Sequence, residues 1–307
     1  MNILGKRYIF FAISLLAIIP GMIILITGGG LPLSIDFTGG SLLEVRFESG
    51  SAPNTEEVIA LYNDLGYEDV QIKTTTDQNV LIIQSAKLED EQQAEIVDAM
   101  EVEFEDTVTV LLFDNVSSAI GQEVTSRAFL AVAVAALGVI LYMTFAFRGV
   151  EHAFRYGVCA ILAMIHDVLI VLSLSAIGGK LWGWQFDSLA LTALLTVIGF
   201  SVQDKIVVFD RMRENRNIYR KLDFETLANH SIIQTLGRSI NTQLMTSEFM
   251  LLALALFGGL TLREFAILLL VGMFSGTYSS IFIAAPILVI WEKKEWKTWF
   301  KKNKAVA

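Results

Sequence analysis

The sequence is poor in the residues that most often carry chemistry at protein sites. It has one cysteine, Cys159 in an apolar run, and only three histidines among 307 residues. One cysteine permits neither an internal disulfide nor a cysteine-based metal cluster, so we interpret it as a small buried apolar residue. The sequence also lacks a Gly-x-x-x-x-Gly-Lys-Ser/Thr phosphate loop, a His-Glu-x-x-His metal helix and a Gly-x-Ser-x-Gly elbow. We therefore predict no catalytic site, cofactor or metal.

Charged residues are scarce as well, and their signs are unevenly distributed. They make up 18% of the chain, and hydrophobic residues make up 54%, against about 25% and roughly 45–50% in typical soluble domains. Residues 28–126 contain 20 acidic and three basic side chains, a net charge of −17, whereas the remaining residues have a net charge of +8. This composition argues against an ordinary soluble enzyme, and the acidic segment argues against nucleic-acid binding.

Six apolar runs are long enough to cross a lipid bilayer as helices, which takes about 20 residues. They cover residues 8–27, 128–147, 156–177, 188–209, 240–259 and 265–290. The first run is longer than the apolar core of a signal peptide, which is roughly 7–15 residues, so we interpret it as an uncleaved anchor. The sequence therefore predicts an α-helical polytopic membrane protein with six transmembrane helices.

Basic residues predict the orientation, because lysine and arginine in short loops are retained on the cytoplasmic side. One set of loops and both ends carry most of them: Lys6, Arg7, Arg148, Arg155, Arg211, Arg213, Arg216, Arg220, Lys221, Lys293, Lys294, Lys297, Lys301, Lys302 and Lys304. The short loops of the opposite side have only Lys180 and Arg263. We therefore expect both termini to be cytoplasmic and the acidic segment to lie outside.

The acidic segment alternates strand-like and helix-like patterns, which predicts a folded domain rather than a linker. Strands are expected at 34–37, 42–47, 70–74, 80–84 and 108–113, with a turn at 77–79, and helices at 55–65, capped by Asn54, and 89–104. Without the first short strand the order is βαββαβ, which is that of a ferredoxin-like α+β domain. The predicted organisation is an N-terminus and first helix (1–27), the extracytoplasmic domain (28–126), a five-helix bundle (127–292) and a basic cytoplasmic tail (293–307).

Short strings of residues in and beside the apolar runs carry a family resemblance. They are Ile35-Asp36-Phe37-Thr38-Gly39-Gly40, His166-Asp167-Val168, Gly199-Phe200-Ser201-Val202, Val207-Val208-Phe209-Asp210-Arg211-Met212-Arg213-Glu214-Asn215, Arg238-Ser239-Ile240-Asn241-Thr242 and Gly276-Thr277-Tyr278-Ser279-Ser280. In this order they resemble the SecD and SecF family, the accessory subunits of the bacterial Sec protein translocase. The resemblance covers nearly the whole chain. The single domain after the first span is similar to the SecF branch, since SecD has a longer extracytoplasmic region.

The resemblance implies a fold, a function and a set of partners. The fold would be half of a transporter related to the resistance-nodulation-division exporters, completed by SecD. The function would be to use the proton or sodium motive force to assist late steps of protein export across a bacterial or archaeal cytoplasmic membrane. The partners would be SecD, the SecYEG channel, the translocating preprotein and, as further candidates, YajC and YidC.

Two other functions remain open. The chain could be a subunit of a small-molecule exporter of the resistance-nodulation-division kind, since six spans are half of such a transporter. It could also be a purely structural translocase subunit that has lost ion coupling. The motif 36–40 is expected to be a junction between the first span and the domain, because paired glycines permit a backbone that larger residues cannot adopt.

Placing an ionisable residue inside a membrane-spanning apolar run costs a free energy of about 2.5–3.5 kcal/mol or more, so such residues are usually paired or functional. Asp204 in the fourth run and Arg238 at the fifth lie ~12 Å and ~9 Å from the expected helix ends, at 1.5 Å per residue. We therefore expect an ion pair between them, with either a static role or a role in ion movement. The resemblance implies proton movement at Asp204 and Arg238, with Thr242 one turn further.

The sequence departs from the family beside this aspartate. Gln203-Asp204-Lys205 replaces the usual Asn-Asp-Thr, and a lysine next to the aspartate would hold the carboxylate charged and hinder protonation if the two side chains met. Adjacent helical residues point about 100° apart, so this effect could be small. The secondary polar candidates are His166 and Asp167 in the third run and Glu248 in the fifth.

Overall fold

A computed structural model describes residues 2–67, 70–74, 79–148, 153–243 and 249–299. Its helices are α1 (Arg7–Thr27), α2 (Ile35–Thr38), α3 (Thr55–Asp64), α4 (Asp90–Phe104), α5 (Ser118–Ala146), α6 (Ala153–Trp182), α7 (Ser188–Ile218), α8 (Phe224–Gln243), α9 (Phe249–Phe257), α10 (Leu260–Ser279), α11 (Ala285–Lys293) and α12 (Trp296–Trp299). Its strands are β1 (Gly40–Phe47), β2 (Gln71–Thr74), β3 (Val80–Ser85) and β4 (Val108–Val116).

The described residues form two compact units. The first, which we call the sheet unit, consists of Gly30–Leu130 and Ser175–Ser188. The second, which we call the helical unit, is drawn from Met1–Gly29, Ala131–Leu174 and Leu189–Ala307.

The sheet unit is built on four strands in the order β2-β3-β1-β4, and each neighbouring pair is antiparallel. Side chains on a strand alternate between faces, and the buried apolar side chains of β1 are those of Leu43, Val45 and Phe47. They form one core with Val58 of α3 and Ile96 of α4. The two helices therefore cover the face of the sheet to which these β1 residues point.

Most of the elements predicted for this region are present, with ends shifted by at most three residues. Asn54 caps α3 as expected, because its side chain accepts a hydrogen bond from the backbone N–H of Glu56. A reciprocal capping box of Glu89 and Gln92 begins α4. The predicted turn at 77–79 falls mainly outside the described residues.

The strand predicted at 34–37 is wrong, because these residues form the single helical turn α2. The Ser34 hydroxyl accepts a hydrogen bond from the Asp36 N–H at 3.3 Å, which starts the turn. Gly39 and Gly40, at φ of 75° and 117°, end it. Alternation of apolar residues over four positions did not distinguish a strand from a capped turn.

Among the described residues, five helices are long and apolar enough to cross a membrane: Leu4–Thr27, Ser118–Ala146, Phe154–Trp182, Ser188–Ile218 and Leu262–Lys293. The predicted run at 240–259 falls on the end of α8 and on α9, and residues 244–248 between them lie outside the described part. Helix ends also differ from expectation, because polar residues extend α7 to Ile218 and start α8 at Phe224. Helices therefore continue past the apolar runs from which they were predicted.

Helix α10 passes into α11 through a π-helical segment, Ser280–Ala284. Pro286 follows directly, in the first turn of α11. Proline has no N–H to donate and its ring disturbs the preceding turn, which accounts for a local change of helix type here. Such π segments occur frequently at functional sites.

Ion pairs connect the ends of the helices. Arg7 binds Glu225 at 2.9 Å and Glu295 at 2.7 Å, and Lys293 binds Glu225 at 2.5 Å. The hydrogen bond from Lys293 lowers the pKa of Glu225 below its usual value, and Arg7 adds to this effect while burial opposes it. Arg155 binds Glu292 at 2.7 Å. The starts of α1, α6 and α8 are thus joined to the end of the described chain.

Candidate functional site

A buried carboxylate surrounded by hydroxyl groups lies among three helices of the helical unit. Asp167, on α6, has no exposed surface. Ser201 of α7 donates to Oδ2 at 2.5 Å, and from α10 Ser279 donates to Oδ2 at 2.7 Å and Ser275 to Oδ1 at 2.6 Å. A buried carboxylate is costly unless its oxygens are paired. Asp167 therefore connects α6, α7 and α10 through bonds that each stabilise its charge.

The ammonium group of Lys205 is the cation of this carboxylate. Its Nζ lies 2.9 Å from Asp167 Oδ2, and it also donates to the carbonyl oxygen of Ser201 at 3.2 Å and to the Ser201 hydroxyl. The lysine has no exposed surface. Lys205 is directed to Asp167 rather than to its neighbour Asp204, as the angle of about 100° between adjacent helical residues allows. The contact on which a strong effect of Lys205 on Asp204 depends is therefore not made in this structure.

Asp204 has a different set of partners. It is 5% exposed, and its Oδ1 accepts a hydrogen bond from Ser239 of α8 at 2.7 Å. Its Oδ2 accepts one from Ser280, the first residue of the π segment, at 2.6 Å. In the described part of the chain, hydroxyl groups are the partners of this carboxylate.

The expected pair of Asp204 and Arg238 is not formed in this structure. Arg238 is exposed, and its neighbour Ser239 is the residue that meets Asp204. The two helices do meet at this level, since Ser239, one residue from Arg238, contacts Asp204, although the helix ends lie at Ile218 and Phe224 rather than where the estimate placed them. A rotation of α8 by one residue, about 100°, separates the expected contact from the observed one. Gln203 is exposed as well. The side chains of Thr242 and Glu248 lie outside the described part of the chain.

We call Asp167, Lys205 and the serines that bind this carboxylate the Asp167 centre. His166 connects the Asp167 centre to α1. Its Nδ1 lies 3.0 Å from Asp167 Oδ1, and its ring stacks on Tyr278 with 6.1 Å between centroids. The Tyr278 hydroxyl donates to the carbonyl oxygen of Phe10 at 2.7 Å and accepts from Ser14 at 3.3 Å. The other ring nitrogen of His166, Nε2, is buried and has no hydrogen-bond partner among the described residues.

Sequence reasoning missed the hydroxyl groups that hold both carboxylates. They belong to Ser201, Ser239, Ser275, Ser279 and Ser280. Four of the five stand inside strings that carried the family resemblance, and Ser275 precedes Ser279 by one helical turn. That spacing was the available signal, but single serines in apolar helices are not distinctive enough to be chosen without the contacts.

The motif at residues 36–40 lies in the sheet unit. A side chain on Gly39 would come within 2.7 Å of the Ser118 Cα, and one on Gly40 within 2.5 Å of the Ser85 carbonyl oxygen. Asp36 Oδ2 accepts a hydrogen bond from the Ser188 N–H at 2.9 Å. These contacts hold the residues just before β1 against the first residues of α5 and α7, and Gly40 against the end of β3, so the two glycine positions have no room for larger residues.

The two carboxylates differ in how they can react. Asp167 is neutralised by an ammonium group that is part of the chain. Asp204 is held by two hydroxyls, which can reorient to accept as well as donate. In the described residues Asp204 therefore has neutral hydroxyl partners, whereas Asp167 has a cation that belongs to the chain. Within the described residues, no group of three or more His, Cys, Asp or Glu side chains is placed to hold a metal ion.

Known proteins resemble the chain over its whole length. The family profile described as "Protein export membrane protein SecD/SecF, C-terminal" matches residues 96–294, and the "SecD/SecF GG Motif" matches residues 24–50. A protein translocase subunit SecF from Anaerolinea thermophila is 68% identical over 99% of the chain and 98% of its own length. A second, from Thermobaculum terrenum, is 42% identical over 100% and 99%.

The solved structures agree with these relatives. The crystal structure of SecDF, a translocon-associated membrane protein from Thermus thermophilus, superimposes with a TM-score of 0.82 at 34% sequence identity. The match covers 95% of this chain but only 39% of that one. The SecDF polypeptide is therefore much longer than the region to which this chain is similar.

Proposed function

Because the chain belongs to the SecD/SecF family of protein export membrane proteins, we propose that it works as the SecF-type accessory subunit of the Sec protein translocase. The observation that carries this proposal is the 68% identity to a SecF subunit over nearly the full length of both chains. The chain is a multi-pass membrane protein, and we expect it to assist protein export in a cytoplasmic membrane without nucleotide chemistry of its own.

Replacement of a native SecF subunit tests this function. Cells depleted of their own SecF should recover export of a reporter preprotein when they express this chain together with its cognate SecD. A chain with the same expression level that restores no export, but confers efflux of small molecules, would favour a resistance-nodulation-division exporter subunit instead.

Membrane topology is part of the proposal. We propose six spans with both termini cytoplasmic, an outer domain at 28–126, a bundle at 127–292 and a tail from 293, based on the asymmetry of basic loops. The strand order β2-β3-β1-β4 supports a ferredoxin-like outer domain. Asp64→Cys should react with an impermeant maleimide on intact spheroplasts and Asn217→Cys should not. The reverse labelling would contradict this orientation.

SecD is the proposed main partner, with the SecYEG channel, YajC, YidC and the preprotein as further contacts. In the Thermus protein, as its name says, SecD and SecF share one chain. The outer faces of α7 and α8 support such a partner, because Gly199, Gln203, Gly237 and Arg238 are exposed there. Small and polar residues favour helix–helix contact, and an arginine facing lipid is costly.

The exposed arginine gives a direct test of this contact. We expect Arg238→Leu to lower the amount of SecD recovered with the tagged chain about tenfold or more, since a partner carboxylate at this level would lose its cation. Leu137→Ala on α5 is the matched control and should leave recovery unchanged. Equal recovery of SecD with both variants would remove this face from the interface.

Ion coupling is proposed at Asp204. Three points support this proposal: Asp204 is buried, two hydroxyl groups bind its carboxylate, and the family resemblance implies a role in ion movement. The coupling ion would be a proton or sodium, and Thr242 is a second candidate residue for the coupling site. Asp204→Asn keeps the size of the side chain but cannot titrate, so it should abolish gradient-dependent export while insertion and SecD binding persist. Full gradient-dependent export by this variant would rule out a titrating role of Asp204 and favour a static role for this carboxylate.

A further inference from the structure

The oxygen atoms around Lys205 converge on one point inside the helical unit. The ammonium nitrogen contacts Asp167 Oδ2 at 2.9 Å, the Ser201 carbonyl oxygen at 3.2 Å and the Ser201 hydroxyl. A lysine ammonium has three N–H donors, and these three oxygens use all of them. Three oxygen atoms, from a carboxylate, a carbonyl and a hydroxyl group, therefore surround the single positive charge of Nζ.

The carboxylate at this point is oriented by groups other than the lysine. Ser275 binds Oδ1 at 2.6 Å, and Ser279 binds Oδ2 at 2.7 Å, both from α10. His166 Nδ1 lies 3.0 Å from Oδ1. Partners from two helices thus fix the carboxylate, so its oxygens would keep their direction if the lysine were shortened.

Carboxylate, carbonyl and hydroxyl oxygens are also the ligands that hard metal cations prefer. One carboxylate balances one positive charge, which suits a monovalent ion. We propose that the oxygens of Asp167 and Ser201 form a monovalent-cation site that the chain fills with its own Lys205 ammonium. A free alkali cation such as Na⁺ enters this site when the lysine is removed.

The proposal has one consequence for the function, which rests on the proposed ion coupling. A coupling cation that arrives from outside finds the Asp167 position already filled, so this centre is closed to sodium. Lys205, at the position where the resembling family usually has threonine, is the residue that closes it. The substitution thus determines which cation the centre holds, and it does so without pairing with Asp204.

The test measures cation binding to the purified full chain in detergent. Lys205→Thr removes the ammonium and leaves room for an ion among the same oxygens. Its thermal unfolding midpoint should rise with NaCl concentration relative to choline chloride at equal ionic strength, because a ligand that binds only the folded state stabilises it by mass action. The unchanged chain should show no such difference, since its site is filled.

The double variant Lys205→Thr/Asp167→Asn is the matched control. It keeps the cavity but removes the carboxylate, so the specific Na⁺ response should disappear. A folded Lys205→Thr variant that responds equally to Na⁺ and choline would overturn the proposal. So would failure of Lys205→Thr to accumulate in cells grown with NaCl while the double variant accumulates, because a medium cation should replace the ammonium. Export and SecD are absent from this assay, so its outcome is separate from that of the proposed function.

Discussion

Helices α5 and α7 are both long enough to span a bilayer, but they differ in what they present to their surroundings. Most of the large apolar side chains along α5 are exposed, including Val134, Leu137 and Leu141. Helix α7 buries Asp204 and Lys205 on one side and exposes Gly199 and Gln203 on the other. Both carry enough apolar residues to be recognised as spans.

The difference shows that the length of an apolar run and the position of its polar residues determine different properties of a helix. Length determines that each helix can reside in lipid. The position of the few polar residues determines which helix holds the centre of the bundle, because lipid offers them no hydrogen bonds. Four predictions would break or sharpen this contrast.

The largest effect is expected at Asp167. Asp167→Ala leaves the Lys205 ammonium buried without its carboxylate, and breaking a buried pair from one side costs about 3–5 kcal/mol. We expect a correspondingly large fall in unfolding midpoint or loss of folded protein. Replacing both residues, as Asp167→Leu/Lys205→Met, should recover much of the stability, since no charge is then left unpaired. A single variant as stable as the unchanged chain would show that the pair contributes nothing.

Two glycines offer the next test, with effects of opposite sign. A side chain on Gly272 of α10 would lie 2.3 Å from Val197 of α7, so Gly272→Ala should destabilise the folded state by about 1–3 kcal/mol through overpacking. Gly138 of α5 has no atom within 4 Å of the same position, and Gly138→Ala should be neutral or stabilise by up to about 1 kcal/mol. Thermal unfolding of both variants in one detergent measures the contrast, which a common sign would refute.

A smaller, pH-dependent effect is expected at the helix ends. Because Lys293 and Arg7 lower the pKa of Glu225 in the folded chain, this carboxylate stabilises the fold at pH values above its unfolded pKa. The contribution is lost as pH falls through the folded pKa. Glu225→Gln should therefore cost about 1 kcal/mol at neutral pH and progressively less in acid. Unfolding midpoints that differ by the same amount at neutral and acid pH would contradict the role of the charge.

The smallest effect is expected on the exposed face of α5. Leu137 is 55% exposed, so Leu137→Ala creates no cavity and should change the free energy of unfolding by less than about 0.5 kcal/mol. A loss comparable to that of Gly272→Ala would show that α5 is packed rather than lipid-facing, and the contrast with α7 would then fail.

Much of the fold could be predicted from residue patterns. Apolar length located five helices that the structure also has, and alternation with caps such as Asn54 located the sheet unit's elements. Patterns failed where a few residues decide the outcome. The turn at 35–38 depends on the Ser34 cap, and the ends of α7 and α8 lie in polar sequence that carries no membrane signal.

The candidate site could be predicted in level but not in pairing. Asp204, Lys205 and Asp167 were all singled out as polar residues in apolar runs, which is a strong signal because such residues are expensive. Which of them meet depends on helix rotation. Arg238 and Ser239, like Asp204 and Lys205, are adjacent residues that differ by about 100° around the helix axis. The rotation of each helix about its axis therefore decides which of the two makes the contact, and residue patterns alone do not predict this rotation.

Ser279 and Ser280 are neighbours in the chain, yet one binds Asp167 and the other Asp204. The spacing of this segment is therefore as important as its composition. Deleting one residue within the π segment would convert it toward a regular α-helix and turn α11 by about 100° relative to α10 without removing any polar group. Such a deletion should move Glu292 and Lys293 of α11 away from Arg155 and Glu225, so this stretch should resist changes in length far more strongly than changes among its apolar side chains.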